Sequence, residues 1–322
     1  MINTLLRRTG PVLCTVLLLV AGPPASAQQK ITLMLDWFIN PDHATLVVAD
    51  KLGLFAKAGL EVEMIEPADP SDPPKLVAAG KADVAISYQP QLHLYHAEGL
   101  PLVRIATLVA TPLNTLVVLA DGPIRSIADL KGRKVGFSVG GFEDALLAAM
   151  LARHGLGTDD IELVNVNFSL SPSLISGQVD AVIGAYRNFE LNQMDIVGRP
   201  GRAFYVEEEG VPGYDELIVV ANAADLGRPE LGALVGALEA AVQFTVNHPG
   251  AAWEMFGSYR EGLDDELNRR AFRDTLPRFA LRPAALDTGR YRRFDEFLVE
   301  QGLIARPGTV GEFAIEPEVP PS

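Results

Sequence analysis

The chain has 322 residues, 48% of them hydrophobic and 21% charged, with 41 acidic side chains against 27 basic ones. That composition is too apolar for a disordered chain, and the length suits about two domains, each burying its own core. A net charge of −14 argues against nucleic acid and anionic lipid as partners, and a single cysteine excludes a disulfide framework, a zinc ribbon and a CxxC pair.

The chain opens with Arg7-Arg8, turns apolar from Val12 to Gly22 and closes on Ala25-Ser26-Ala27. A basic start, a short apolar core and an A-x-A site are the parts of a secretory signal peptide. The apolar run is shorter than the ~20 residues a membrane span requires. Cleavage after Ala27 would remove Arg7, Arg8 and the lone Cys14, but no acid. The expected product is an exported, cysteine-free, acidic protein.

From Ile31 onward, short β-branched runs alternate with helical patterns. Ile31–Leu35 reads as a strand, the stretch from Pro41 through Phe55 as a helix, and Leu60–Ile65 as a second strand. Ser71-Asp72-Pro73-Pro74 starts a helix running to Gly80, and Ala82–Ser87 is a third strand. This alternation predicts βαβ units on a parallel sheet. A second series follows Ser126–Gly132: strand Lys134–Ser138, helix Gly140–His154, strand Glu162–Val166, helix Ser171–Ser176 and strand Ala181–Gly184.

The two series echo each other. Gly80-Lys-Ala-Asp83-Val-Ala-Ile-Ser-Tyr88 resembles Gly177-Gln-Val-Asp180-Ala-Val-Ile-Gly-Ala-Tyr186, each a glycine, an aspartate and a buried strand ending at a tyrosine. Chance similarity between helix–turn–strand units is the alternative. Asn114–Leu119 and Glu216–Ala221 read as crossovers between two lobes. The expected division is 1–27 signal peptide, 28–118 with 222–322 as a discontinuous first lobe, and 119–221 as the second. Helices follow at Pro229–Asn247, Pro249–Tyr259, Asp264–Thr275 and Ala285–Gln301, and the Pro- and Glu-rich last dozen residues read as a frayed tail.

Ligands of open α/β sheets bind beyond the carboxyl ends of the strands. That rule collects Asp36, Trp37, Asn40 and His43 after the first strand, and Tyr88 with Gln89 after the third. The second series adds Gly140, Gly141, Phe142 and Glu143, then Tyr186, Asn188 and Glu190. Aromatic rings beside several acids suit a flat ring that donates hydrogen bonds. Any one of these residues could equally be a cap or a core aromatic; their shared placement makes the group informative. Gly140-Gly141 could hold an anion, but it lacks a nucleotide-loop fingerprint. His93 and His96 share a helix face without a metal pattern and read as a solvated or half-buried helix. No nucleophile elbow is present, so neither a catalytic residue, a metal nor a cofactor is expected.

Several motifs resemble those of a known family. Leu35-Asp36-Trp37-Phe-Ile-Asn40-Pro41-Asp-His43, Gly53-Leu-Phe55-Ala-Lys-Ala-Gly59-Leu60, Pro70-Ser71-Asp72-Pro73 and Asp129-Leu-Lys131-Gly132 resemble the SsuA/THI5-like (NMT1) family. Within it, Ser138–Glu143 and Gly184–Glu190 are most similar to periplasmic solute-binding proteins of ABC importers for thiamine-pyrimidine precursors such as formylaminopyrimidine. The resemblance implies a type II periplasmic-binding-protein fold, two α/β lobes joined by two crossover strands with the ligand cleft between them. It also implies a permease and an ATPase as partners, a monomer, and a periplasmic location. The same family contains enzymes that build the thiamine pyrimidine with a Schiff-base lysine, a sacrificial histidine and a cysteine-rich motif. Here Ser87 stands at the lysine position and Gln91 at the histidine position, and Gly210–Leu217 holds no cysteine. The expectation is therefore a non-enzymatic binder of an aminopyrimidine. The alternatives are another small ligand (a flavin, a nitrogenous aromatic or a sulfonate) and, behind these, the synthase.

Overall fold

The computed structural model describes residues 28–320; the expected signal peptide, its cleavage site and Cys14 lie outside them. Among the described residues ten strands form two five-stranded sheets. The first sheet holds β1 (Gln29–Met34), β2 (Leu60–Ile65), β3 (Val84–Ser87), β4 (Leu102–Val109) and a late strand, in the order β2-β1-β3-late strand-β4. The second sheet is built from β5 (Asn114–Leu119), β6 (Lys134–Phe137), β7 (Glu162–Asn165), β8 (Ala181–Tyr186) and β9 (Gly201–Tyr205), in the order β7-β6-β8-β5-β9. The late strand, β10, is Leu217–Asn222.

Both sheets are mixed, not purely parallel as the alternation predicts. β1, β2 and β3 are parallel, but β10 runs antiparallel between β3 and β4. Likewise β6 is parallel to β7 and β8, whereas β5 runs antiparallel between β8 and β9. The apolar runs read as crossovers are thus interior strands, covered on both faces, which is why their sequences are continuously apolar. Strand membership places β5 in the second sheet and β10 in the first, against the expected boundaries at 118 and 222. The chain crosses between the sheets at 110–113 and 206–216. The sequence reading also lacks β4 and β9. Arg104 and Thr107 interrupt the apolar pattern of β4, and β9 is a half-buried edge strand.

Helices α1 (Ala44–Lys51) and α2 (Leu54–Lys57) replace the single helix expected from Pro41 to Phe55. A 3-10 turn over Pro41–His43 precedes them, and Gly53, at φ +64°, breaks the helix between them. They are followed by α3 (Pro73–Ala78), α4 (Gln89–Ala97), α5 (Glu143–Arg153), α6 (Leu170–Ser176) and α7 (Glu190–Ile196). The C-terminal helices α8 (Pro229–Asn247), α9 (Pro249–Gly257), α10 (Glu266–Thr275) and α11 (Thr288–Glu300) fall close to their expected positions, with a short α12 at Val310–Phe313. α8 packs on α1 and β4, so the C-terminal third returns to the first sheet.

The echo between the two series has physical content. Asp83 accepts from the Thr32 amide of the neighbouring parallel strand at 2.8 Å, and Asp180 accepts from the Lys134 amide at 2.9 Å. Each aspartate thus pins the start of its strand to the adjacent one in the same way. The expected frayed tail is instead docked. Phe313 and Ala314 are buried, and the Ile315 amide donates to the Arg104 carbonyl at 3.0 Å. The buried Arg104 guanidinium returns the contact, donating to the carbonyls of Ile315 at 2.9 Å and Pro283 at 2.8 Å. His93 is likewise buried rather than solvated. Its Nδ1 lies 2.6 Å from Asp295, and burial pushes its pKa down.

Candidate binding cleft

The carboxyl ends of β1 and β3 face those of β6 and β8 across a cleft of about 400 Å3, counting the space open to solvent. Of the thirteen residues singled out from the sequence, seven line it: Asp36, Trp37 and Asn40 beyond β1, Tyr88 beyond β3, Glu143 at the start of α5, Tyr186 ending β8, and Glu190 opening α7. The seven come together because β-strands of one sheet end together, whatever their separation in sequence.

The other six stand behind the wall or across it. His43 is buried under Asp36, its Nε2 2.8 Å from Oδ1, while the Tyr88 hydroxyl donates to Oδ2 at 2.9 Å. Asp36 therefore has both oxygens engaged and orients Tyr88. Gln89 turns away to the second crossing, accepting from the Asp215 amide at 2.8 Å. Gly140 and Gly141 form the turn before α5, with Gly141 at φ +90°. Phe142 is buried and stacks on Tyr88, ring centroids 4.7 Å apart. Asn188 bridges the sheets, donating to Asp42 Oδ1 at 2.7 Å and Thr275 Oγ1 at 2.6 Å.

Four residues that the sequence reading did not select also line the cleft: Asp42, Leu170, Gly184 and Phe189. Gly184 carried a readable signal, because glycine inside an apolar strand marks a close approach. At φ +92° it faces the Glu143 carboxyl, which lies 2.3–2.6 Å from where a Cβ would stand. A fifth, Glu216, sits just behind. It accepts from the amides of Leu113 at 2.5 Å and Asn114 at 2.9 Å, and its other oxygen meets the Tyr186 hydroxyl at 3.4 Å.

Electrostatically the cleft is a set of buried acids without a facing cation. Burial pushes the Glu143 carboxyl up to about 8, Glu190 and Glu216 to about 7, and Asp42 to about 6. Backbone amides restrain each glutamate: Ser138 N–H donates to Glu143 at 2.7 Å and Tyr186 N–H to Glu190 at 2.6 Å. Asp42 Oδ2 is buried with no partner. No lysine or arginine lines the cleft. The nearest in sequence, Arg187, is held by both oxygens of Glu207 at 2.6 and 2.8 Å and lies over the Tyr205 ring. Carboxyls that retain protons near neutral pH can donate as well as accept hydrogen bonds. Among the described residues there is no cluster of side chains that could hold a metal ion.

Comparison with known proteins gives the family and the fold. A family model described as NMT1/THI5 like matches residues 40–252. A putative thiamine biosynthesis protein of Haemophilus influenzae is 53% identical over 296 residues, covering 92% of this chain and 94% of that one. A formylaminopyrimidine-binding protein of Halalkalibacterium halodurans is 37% identical over 198 residues, covering 62% of this chain and 60% of the relative. Among solved structures, the alkanesulfonate-binding protein of Xanthomonas axonopodis pv. citri superimposes with a TM-score of 0.69 at 16% identity, over 89% of this chain and 98% of that one. At that identity the likeness establishes the two-lobed periplasmic-binding-protein fold.

Proposed function

The chain belongs to the NMT1/THI5-like family, and on that premise we propose that it is an exported solute-binding protein that captures an aminopyrimidine, a precursor of the thiamine pyrimidine, between its lobes. The observation that carries this reading is the aromatic cleft lined by buried acids and no cation. An aminopyrimidine edge presents an amino donor beside a ring nitrogen acceptor, and a neutral carboxyl presents the complementary pair. Trp37 and Tyr186 supply ring faces, and Glu190 has an oxygen free of the Tyr186 amide. A sulfonate would meet buried acids instead of a guanidinium, which argues against that alternative despite the shared fold.

Capture makes and breaks no bond. Where a pyrimidine synthase of this family needs lysine and histidine, Ser87 donates to Gln91 at 2.8 Å, both buried, and neither lines the cleft. In this reading the protein works as a periplasmic monomer that hands its cargo to an ABC permease driven by an ATPase. Calorimetric titration with aminopyrimidines, thiamine, flavins and alkanesulfonates tests it. An aminopyrimidine should bind best, and Glu190→Gln should weaken that binding by about 1.5–3 kcal/mol. Preference for a sulfonate or flavin, or a Schiff-base absorbance with pyridoxal phosphate accompanied by pyrimidine formation, would replace the reading.

A further inference from the structure

A second pocket, of about 510 Å3 including its solvent-open mouth, adjoins the cleft and shares Trp37, Asn40, Leu170, Phe189 and Glu190 with its wall. Beyond these it is bounded largely by apolar side chains. Phe38 and Phe168, from opposite lobes, form one side with ring centroids 4.5 Å apart. No lysine or arginine lines it.

Ser171 also lines this annex but not the cleft. It is 1% exposed, and its Oγ has no hydrogen-bond partner among the described residues. The other serines of α6 are satisfied: Ser173 Oγ donates to Gln178 at 3.3 Å and Ser176 Oγ to the Ser173 carbonyl at 3.2 Å. Native proteins rarely bury a hydroxyl unpaired, so a missing partner at a cavity wall marks where an incoming group completes the bond.

We infer that the annex receives the substituent arm of the ring bound in the cleft. The arm is short and neutral, apolar along its stem, and carries one amide or hydroxyl that pairs with Ser171 Oγ. This rests on the aminopyrimidine reading and deepens it, because it says which derivative is preferred. A phosphorylated arm is rejected, since it would find no cation in the annex and would face Glu190.

Three probes separate the possibilities: an aminopyrimidine with a methyl substituent, the same ring with a formylaminomethyl arm, and the same ring with a phosphorylated hydroxymethyl arm. In calorimetry, the wild type should bind the formylaminomethyl compound more tightly than the methyl compound and should not bind the phosphorylated one. Ser171→Ala should lose roughly threefold to tenfold in affinity for the formylaminomethyl compound and nothing for the methyl compound. Its melting temperature without ligand should match the wild type, because the hydroxyl makes no bond to lose. Ser171→Val, which narrows the annex, should discriminate further against the arm.

Equal losses for both neutral compounds, no loss for either, or tight binding of the phosphorylated ring would overturn the inference while leaving aminopyrimidine capture standing. Failure of the wild type to bind any of the three rings would instead overturn the aminopyrimidine reading, and the annex assignment with it.

Discussion

Glu143 concentrates the chemistry of the cleft in one side chain. It sits in the first turn of α5, buried, with its carboxyl raised to about 8 by burial and, to a smaller extent, by Asp144 and Glu216. Its ordinary value is 4.5, so folding favours the protonated form. The resulting stability is complete below the ordinary value and is lost as pH rises through the folded value. Glu190, Glu216 and Asp42 act in the same direction at somewhat lower pH. Without ligand, the melting temperature should therefore fall between about pH 5 and about pH 9, and Glu143→Gln should fall less steeply. Parallel slopes for the two proteins would remove Glu143 from this account. Glu143 was legible from its place after a strand and a glycine turn. Asp42 and Glu216 were not: locally they look like a helix-start acid and the first residue of an apolar strand. Their partners are distant in the chain, Asn188 146 positions from Asp42 and Leu113 103 positions from Glu216.

At the scale of elements, β8 does two jobs that compete for one position. It is an interior strand of the second sheet, yet it must leave room over Gly184 for the Glu143 carboxyl. A side chain there would be strained at φ +92° and would also expel the acid. Gly184→Ala should cost about 1–3 kcal/mol from the backbone alone, read from the denaturant midpoint, and should abolish ligand binding. A variant that binds normally would show that Glu143 need not occupy that space. The glycine, and the aspartates opening β3 and β8, were visible as sequence features because their roles are local to a strand and its neighbour. β4 was hidden for the opposite reason. Arg104 looks like an exposed cation, and only the distant loop at Pro283 and the tail at Ile315 supply the carbonyls that permit its burial.

Across the whole molecule, the lobes are joined by contacts that no stretch of sequence contains. Asn188 links the second lobe to Asp42 and Thr275, Asn192 donates to Asp274 at 2.9 Å, and Phe168 packs edge-on against Trp37 with centroids 4.6 Å apart. Asn188→Ala should leave Asp42 without its amide partner, weaken ligand binding by about 1–3 kcal/mol and enlarge the radius measured by solution scattering. An unchanged radius together with unchanged affinity would show that this bridge does not hold the lobes together. The two-lobe plan was readable from the paired βαβ series, whereas the course of the crossings was not, because their neighbouring strands are as apolar as any core strand. Those crossings carry the last consequence. One carboxyl, Glu216, accepts from the last amide of the outgoing connection, Leu113, and the first of β5, Asn114, while standing in the returning connection. That carboxyl thereby ties the two connections to each other where the chain passes between the sheets. Since the Tyr186 hydroxyl touches that same carboxyl, the wall of the cleft and the tie between the two connections share one acid.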